Sequence, residues 1–276
     1  MSDPTKTIVL VHGLWMTPRS WEHWISRYED QGYTVLAPAW PGMEVEVEEL
    51  NRDPSPIAKL DIDEIVDHYE QIIRGLDAPP IIMGHSFGGA FTQVLVDRGV
   101  GSVGVCVAAA SVKGVFDLPF STLKASWPVL QNPLNRGRAV ALDPEQFHYA
   151  FANTVSKEES DRIYERYHVP AAATVLFEGA FANLHPNAAT KVDFFKEDRA
   201  PLLFIAFGED HICPPQAVYH MSQKYNLAET VVEYREFDGR PHFPGVPGWE
   251  EVADYALSWA TAHVRAGARM TPAGTT

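Results

Sequence analysis

Short, continuous apolar runs alternate with amphipathic stretches along most of the chain. The first run, "KTIVLVHG", lacks any polar alternation, the pattern of a strand buried on both faces. Further strands are read in "YTVLAPAWPG", "PPIIMGHS", "SVGVCVAAAS", "PLLFIAFGED" and "TVVEYREFDG". Between the first two, "PRSWEHWISRYEDQG" reads as a helix ending at Gly32. "DIDEIVDHYEQIIRGL" reads as another, with Asp61 as N-cap and Glu64 three residues on. In it Ile62, Ile65, Val66, Tyr69, Ile72, Ile73 and Leu76 keep helical spacing and make one apolar face. "FGGAFTQVLVDRG", the stretch from Pro215 to Tyr225 and "PGWEEVADYALSWATAHV" complete the helices. The acidic stretch from Glu44 to Lys59 reads as a solvated loop, and "RAGARMTPAGTT" as a disordered tail. Such alternation predicts an α/β fold: a mostly parallel sheet flanked by helices and joined by right-handed crossovers.

One segment breaks the rhythm. From Ser111 to Asp198 no clear strand is visible, but "DPEQFHYAFANTV" and "SKEESDRIYERYH" look helical. Eighty-odd residues are too many for a loop in a compact domain. The reading is a core of 1–110 and 199–276 with a helical lid of 111–198 over the carboxyl ends of the strands. The lid's aromatics (Phe116, Phe120, Trp127, Phe147, Tyr149, Phe151, Phe177 and Phe181) are expected mostly to pack the lid itself.

Composition narrows the function. The 276 residues are 46% hydrophobic, enough for one large core. Lys and Arg number 22 against 36 Asp and Glu, a formal charge of −14. That balance disfavours nucleic acid, an anionic membrane surface and a highly anionic substrate. Cys106 and Cys213 lie far apart and suggest no disulfide framework. "MSDPTKT" carries no apolar signal core, and no run reaches the ~18 apolar residues of a membrane helix, so a cytoplasmic protein without membrane insertion is expected.

The chemistry gathers at strand ends. "IIMGHSFGGAF" holds the pattern G-x-S-x-G, with Ser86 between an apolar run and a helix. Glycines there permit a strained turn that lifts a serine hydroxyl off the end of a sheet. A nucleophilic serine needs a base, a carboxylate that orients the base, and donors for an oxyanion. "FDGRPHF" offers His242 and "FGEDHICPP" offers Asp210, with Asp117 past the fourth strand as a rival acid. The backbone amides of Leu14, in "VHGLWM", and Phe87 are the candidate oxyanion donors. Trp15, Met16, Trp127 and Phe243 are the candidate pocket wall. His12 and His85 read as structural hydrogen-bonders. His148, His168 and His185 lack metal-ligand spacing, so zinc is not expected, and chemistry through the serine needs no metal, nucleotide or flavin.

Through "HGLW", "GHSFGG", "GEDHICPP" and "GRPHF" the chain resembles the α/β-hydrolase superfamily from Thr7 to about Val264. The order serine, acid, histidine is that superfamily's. The resemblance implies an eight-stranded sheet, but this chain begins at the strand bearing "HG", so about six parallel strands are expected. Such a start resembles the plant methylesterase and hydroxynitrile-lyase branch. Those lyases carry a lysine directly after the histidine, where this chain has Phe243. Epoxide hydrolases and haloalkane dehalogenases of this fold use an aspartate nucleophile, where this chain has Ser86. The expected function is a serine hydrolase that cleaves a carboxylic ester or related acyl compound of a small apolar molecule through an acyl-enzyme. The alternatives are a lyase, cofactor-free peroxidase or carbon–carbon bond hydrolase on the same scaffold, or a triad-bearing binding protein with slow turnover.

Overall fold

The computed structural model describes residues 6–264, and the tail 265–276 lies outside them. The chain opens with β1 (Thr7–Val11), α1 (Glu22–Asp30), β2 (Thr34–Leu36), α2 (Val47–Arg52) and α3 (Ile62–Arg74). β3 (Ile81–His85), α4 (Phe87–Asp97) and β4 (Val103–Val107) follow. Next come α5 (Phe120–Leu130), β5 (Ala139–Val140), α6 (Pro144–Phe151), α7 (Lys157–Tyr167), β6 (Ala171–Ala172) and α8 (Ala173–Ala180). β7 (Leu202–Phe207), α9 (Pro215–Lys224), β8 (Val232–Phe237) and α10 (Trp249–His263) close the described chain.

Six strands form one parallel sheet in the order β2-β1-β3-β4-β7-β8. Its central strands are apolar but for Thr7 at the start of β1 and His85 at the end of β3, because both faces are covered. Side chains of a strand alternate between faces. Accordingly Ile8, Leu10, Ile81, Met83, Leu203 and Ile205 pack with Trp24 and Tyr28 of α1 and Ala256 and Leu257 of α10. Val9, Val11, Ile82, Cys106 and Phe204 pack on the other side with Ile65 and Tyr69 of α3, Phe91 of α4 and Val218 of α9. Asp61 caps α3 through its side chain, which accepts from the Glu64 amide at 2.9 Å. α4 lies entirely inside the molecule from Phe87 to Val96. Among the described residues no helix is long and apolar enough to cross a membrane.

Two expectations need correction. The acidic stretch after β2 is not all loop: α2 and a short 3₁₀ turn at Ser55–Ile57 bury Val47, Leu50 and Ile57. Three apolar residues among many carboxylates are too sparse to show a helical face. The insertion is not strand-free either, since β5 and β6 pair antiparallel. Two-residue strands are too short for any period to register.

Five hydrogen bonds set the insertion over the carboxyl ends of the strands. Val169 N donates to Trp15 O (3.0 Å), and Trp15 Nε1 donates to Val140 O (3.1 Å), both beyond β1. Thr122 Oγ1 donates to Ile212 O (2.8 Å) and Asn153 Nδ2 to Glu209 O (3.0 Å), both beyond β7. Phe243 N, beyond β8, donates to Phe151 O (2.9 Å). Phe147, Phe151 and Phe177 are buried inside the insertion, whereas Phe116, Phe120 and Trp127 stand exposed on it.

Candidate active site

The carboxyl edge of the sheet is where the backbone is strained. Among the described residues, three that are not glycine have positive φ: Trp15 (61°), Ser86 (57°) and Ala108 (44°), each just past β1, β3 or β4. Such conformations cost on the order of 1–3 kcal/mol each and persist only where surroundings enforce them. At Ser86 the enforcement is visible. Its amide donates to Val107 O (3.0 Å), and its carbonyl accepts from Gly89 N (2.9 Å) and Ala110 N (2.9 Å). Glycines allow the close approach that this requires. A Cβ on Gly88 would fall 2.1 Å from Val11 O, one on Gly84 2.0 Å from Gly88 O, and one on Gly13 2.7 Å from Ser86 Cβ.

His242 and Asp210 meet inside the protein. His242 Nδ1 lies 2.6 Å from Asp210 Oδ2, with both side chains fully buried. The other carboxylate oxygen, Oδ1, accepts from Ile212 N (2.7 Å) and Cys213 N (2.8 Å). These bonds fix the carboxylate plane and leave Oδ2 for the imidazole. Because Nδ1 faces a carboxylate, it carries the proton and Nε2 is the free base. That Nε2 is buried and has no hydrogen-bond partner. The structure brings Ser86 to the same strand edge but does not join it to Nε2; its hydroxyl lies beside the Cys213 thiol. Burial first, then the Asp210 charge, pushes that thiol well up, against the Ser86 hydrogen bond, so it stays neutral. The rival acid, Asp117, sits elsewhere and pairs with His220 Nδ1 at 2.9 Å.

The flanking histidines hold backbone. His85 Nε2 contacts His242 O at 2.8 Å, and the two rings lie 4.5 Å apart. Burial, reinforced by His242, holds His85 well below the usual histidine range, so it is neutral and donates from Nε2. His12 accepts from Trp40 N (3.3 Å) through Nε2 and donates through Nδ1 to Gly13 O (3.0 Å). Burial lowers its pKa to about 4, against the pull of that carbonyl. The Leu14 and Phe87 amides donate to no acceptor among the described residues. Phe87 opens α4, where helix N–H groups have no intrahelical partner.

Of the expected wall, Trp15 stands edge-on to Phe151 (6.1 Å), and it is Phe151 that stands edge-on to His242 at 5.1 Å. Met16 is packed into the core, and Phe243 turns its ring onto Tyr167 of α7 (4.9 Å). Trp127 is 59% exposed, because Ala125, Ser126 and Val129 take the buried face of α5. Only its aromatic character pointed to the pocket. Phe151 and Cys213 are the neighbours that sequence reasoning missed. Cys213 had one signal, its place three residues after Asp210; Phe151 had none beyond lying in the insertion. Among the described residues no group of three or more His, Cys, Asp or Glu side chains could hold a metal ion.

A model of the alpha/beta hydrolase family matches residues 8–255. No curated protein matches the chain. Among solved structures, a monoacylglycerol lipase of Paleococcus ferrophilus is similar at 21% identity and TM-score 0.64, covering 93% of this chain and 94% of that one. An extracellular alpha/beta-hydrolase from a Paenibacillus species is similar at 20% identity and TM-score 0.65, covering 94% and 99%. A pyrethroid hydrolase from Sphingobium faniae is similar at 19% identity and TM-score 0.64, covering 94% and 98%.

Proposed function

The chain belongs to the alpha/beta hydrolase family, and from that premise we propose that it is a serine hydrolase acting on a carboxylic ester of a small apolar molecule. The observation that carries this reading is the buried His242–Asp210 pair, with a free Nε2 on the strand edge that also bears the strained Ser86. In this reading Ser86 Oγ turns from Cys213 towards Nε2 when substrate arrives. Catalytic hydrogen bonds are often long or unmade before substrate arrives. Ser86 Oγ then attacks the ester carbonyl while Nε2 removes its proton. Asp210 keeps the histidine in that tautomer and stabilises the imidazolium. The Leu14 and Phe87 amides receive the oxyanion; losing one such donor typically costs about 3–4 kcal/mol in barrier. The imidazolium next protonates the leaving alcohol, and water, activated by the same nitrogen, releases the acid from the acyl-enzyme. Trp15 and Phe151 make the wall beside His242 apolar. The lipase and the pyrethroid hydrolase among the structural neighbours agree with such a substrate class.

The test is turnover of a series of neutral p-nitrophenyl esters together with labelling by a fluorophosphonate. Wild-type protein is expected to do both, with kcat/KM rising along the acyl chain until the pocket is full, each buried methylene contributing at most about 0.8 kcal/mol. Ser86→Ala should abolish label and turnover alike. Undiminished labelling of Ser86→Ala would assign the nucleophile to another residue. Label without turnover of any ester would favour a lyase or a binding protein.

A further inference from the structure

Nine of the thirteen large apolar side chains left exposed among the described residues lie in the insertion, about a third of the chain. They are not scattered. Phe120, Leu123 and Trp127 recur at three- and four-residue spacing along the outer side of α5, and Phe116 and Leu118 extend the row ahead of the helix. α5 and α8 lie side by side and antiparallel. At one end Gly114 N donates to Asn183 Oδ1 (2.7 Å) and Asn183 Nδ2 to Val115 O (2.7 Å). At the other, Asn135 Nδ2 donates to Val129 O (2.9 Å) and Ala173 N to Arg138 O (2.9 Å). This arrangement brings the exposed Phe181 and Leu184 beside the start of the row, while the exposed Leu134 continues it past the far end.

Charge on this face runs opposite to that of the whole protein. The chain carries −14, yet residues 113–138 hold four cations and a single carboxylate, Asp117, which is taken up by His220. Lys124, Arg136 and Arg138 are exposed and form no ion pair among the described residues. At a Debye length of ~10 Å only charges near a contact count; one carboxylate, the half-buried Glu178 of α8, lies near enough to Arg136 to interact with it, so the face keeps a net positive charge. An exposed apolar row with cations along it matches a layer of apolar chains beneath anionic headgroups. We propose that α5 and its flanks dock on the surface of an anionic phospholipid bilayer, peripherally and without spanning it. The Thr122–Ile212 hydrogen bond (2.8 Å) ties the docking helix to the loop that carries Asp210 and Cys213. The docked face would thus adjoin the candidate site, where an apolar molecule leaving the bilayer could be received.

The experiment is co-sedimentation of the full chain with vesicles of phosphatidylcholine alone or mixed with phosphatidylglycerol, which reads no turnover and stands apart from the proposed activity. Binding to the mixed vesicles is expected, weakening as salt is raised. The triple variant Lys124→Glu, Arg136→Glu, Arg138→Glu should lower the partition coefficient at least ~100-fold. Phe120→Asp with Leu184→Asp should reduce binding at every salt concentration. All changes are on exposed side chains, and circular dichroism checks that the fold persists. Absence of sedimentation with either vesicle, or sedimentation indifferent to both variants, would overturn the proposal. So would a wild-type dimer that Phe120→Asp, Leu184→Asp dissociates in the absence of any vesicle binding, because the face would then belong to a second copy.

Discussion

Asp210 gives one carboxylate oxygen to the amides of its own loop and the other to His242, so it can neither rotate away nor exchange partners cheaply. Asn at this position would keep the shape but offer Nδ1 a donor or a weaker acceptor, favouring the tautomer with its proton on Nε2. Asp210→Asn is therefore expected to lower kcat by on the order of 10³–10⁴-fold. Asp117→Asn, which loses only a surface contact with His220, should change kcat less than about threefold. Steady-state kinetics on one neutral ester decides, and the reverse ranking would remove Asp210 from the proposed mechanism. At this scale the strand-end positions of Ser86 and Asp210 were legible because each follows an unbroken apolar run, whereas the strand before His242, β8, is half charged and was read from its alternation and the glycine turn after it. The wall was not legible. Whether an aromatic in the insertion points inward, as Phe151 does, or outward, as Trp127 does, depends on how α5 and α6 sit on the core. No local pattern states that placement.

The junction of β3 and α4 is the element on which the site depends, and its glycines are required by backbone contact rather than by turn conformation alone. Gly88 is the clearest case, since an added Cβ would come within 2.1 Å of Val11 O and 2.7 Å of His12 O. Both are main-chain atoms of β1 and the turn after it, which cannot step aside as a flexible side chain would. Gly88→Ala must therefore push α4 off the sheet and disturb the Gly13–Leu14 turn together with it. The expected cost is at least ~1–3 kcal/mol, the usual penalty of overpacking, with activity lost before the fold. Urea unfolding alongside ester turnover measures both, and a Gly88→Ala variant with unchanged midpoint and rate would refute this account of the elbow. The same doubly covered sheet explains why elements were readable where they were. Strands buried on two faces appear as unbroken apolar runs, and α3 shows a clean stripe because only one side of it is covered. α2 buries just Val47 and Leu50 among carboxylates, and β5 and β6 are held by the insertion's own packing, so neither left a period to find.

At the scale of the whole molecule, three histidines among the described residues are buried without a carboxylate partner, and together they make stability depend on pH. His12 stands behind the turn after β1, His85 ends β3, and His168 follows α7, where its Nε2 accepts from Leu142 N at 3.1 Å. Burial lowers His12 and His168 to about 4 and His85 well below its usual value. An unfolded chain protonates histidine near pH ~6.5. Between that value and about 4 the unfolded state binds protons that the native state refuses, so stability is complete above ~6.5 and declines as the pH falls. Each histidine contributes a slope of at most about 1.4 kcal/mol per pH unit. Burial also raises Asp63, Asp97 and Glu178, and protons that they take up in the native state oppose this loss. Urea midpoints between pH 7 and 5 read the net of the two. Stability should fall across that range, and His168→Gln, which retains an acceptor for the Leu142 amide, should remove about a third of the slope. A urea midpoint that stays level from pH 7 to 5 would mean that these imidazoles reach water or a counter-charge before the protein unfolds, and the burial argument for all three would fail.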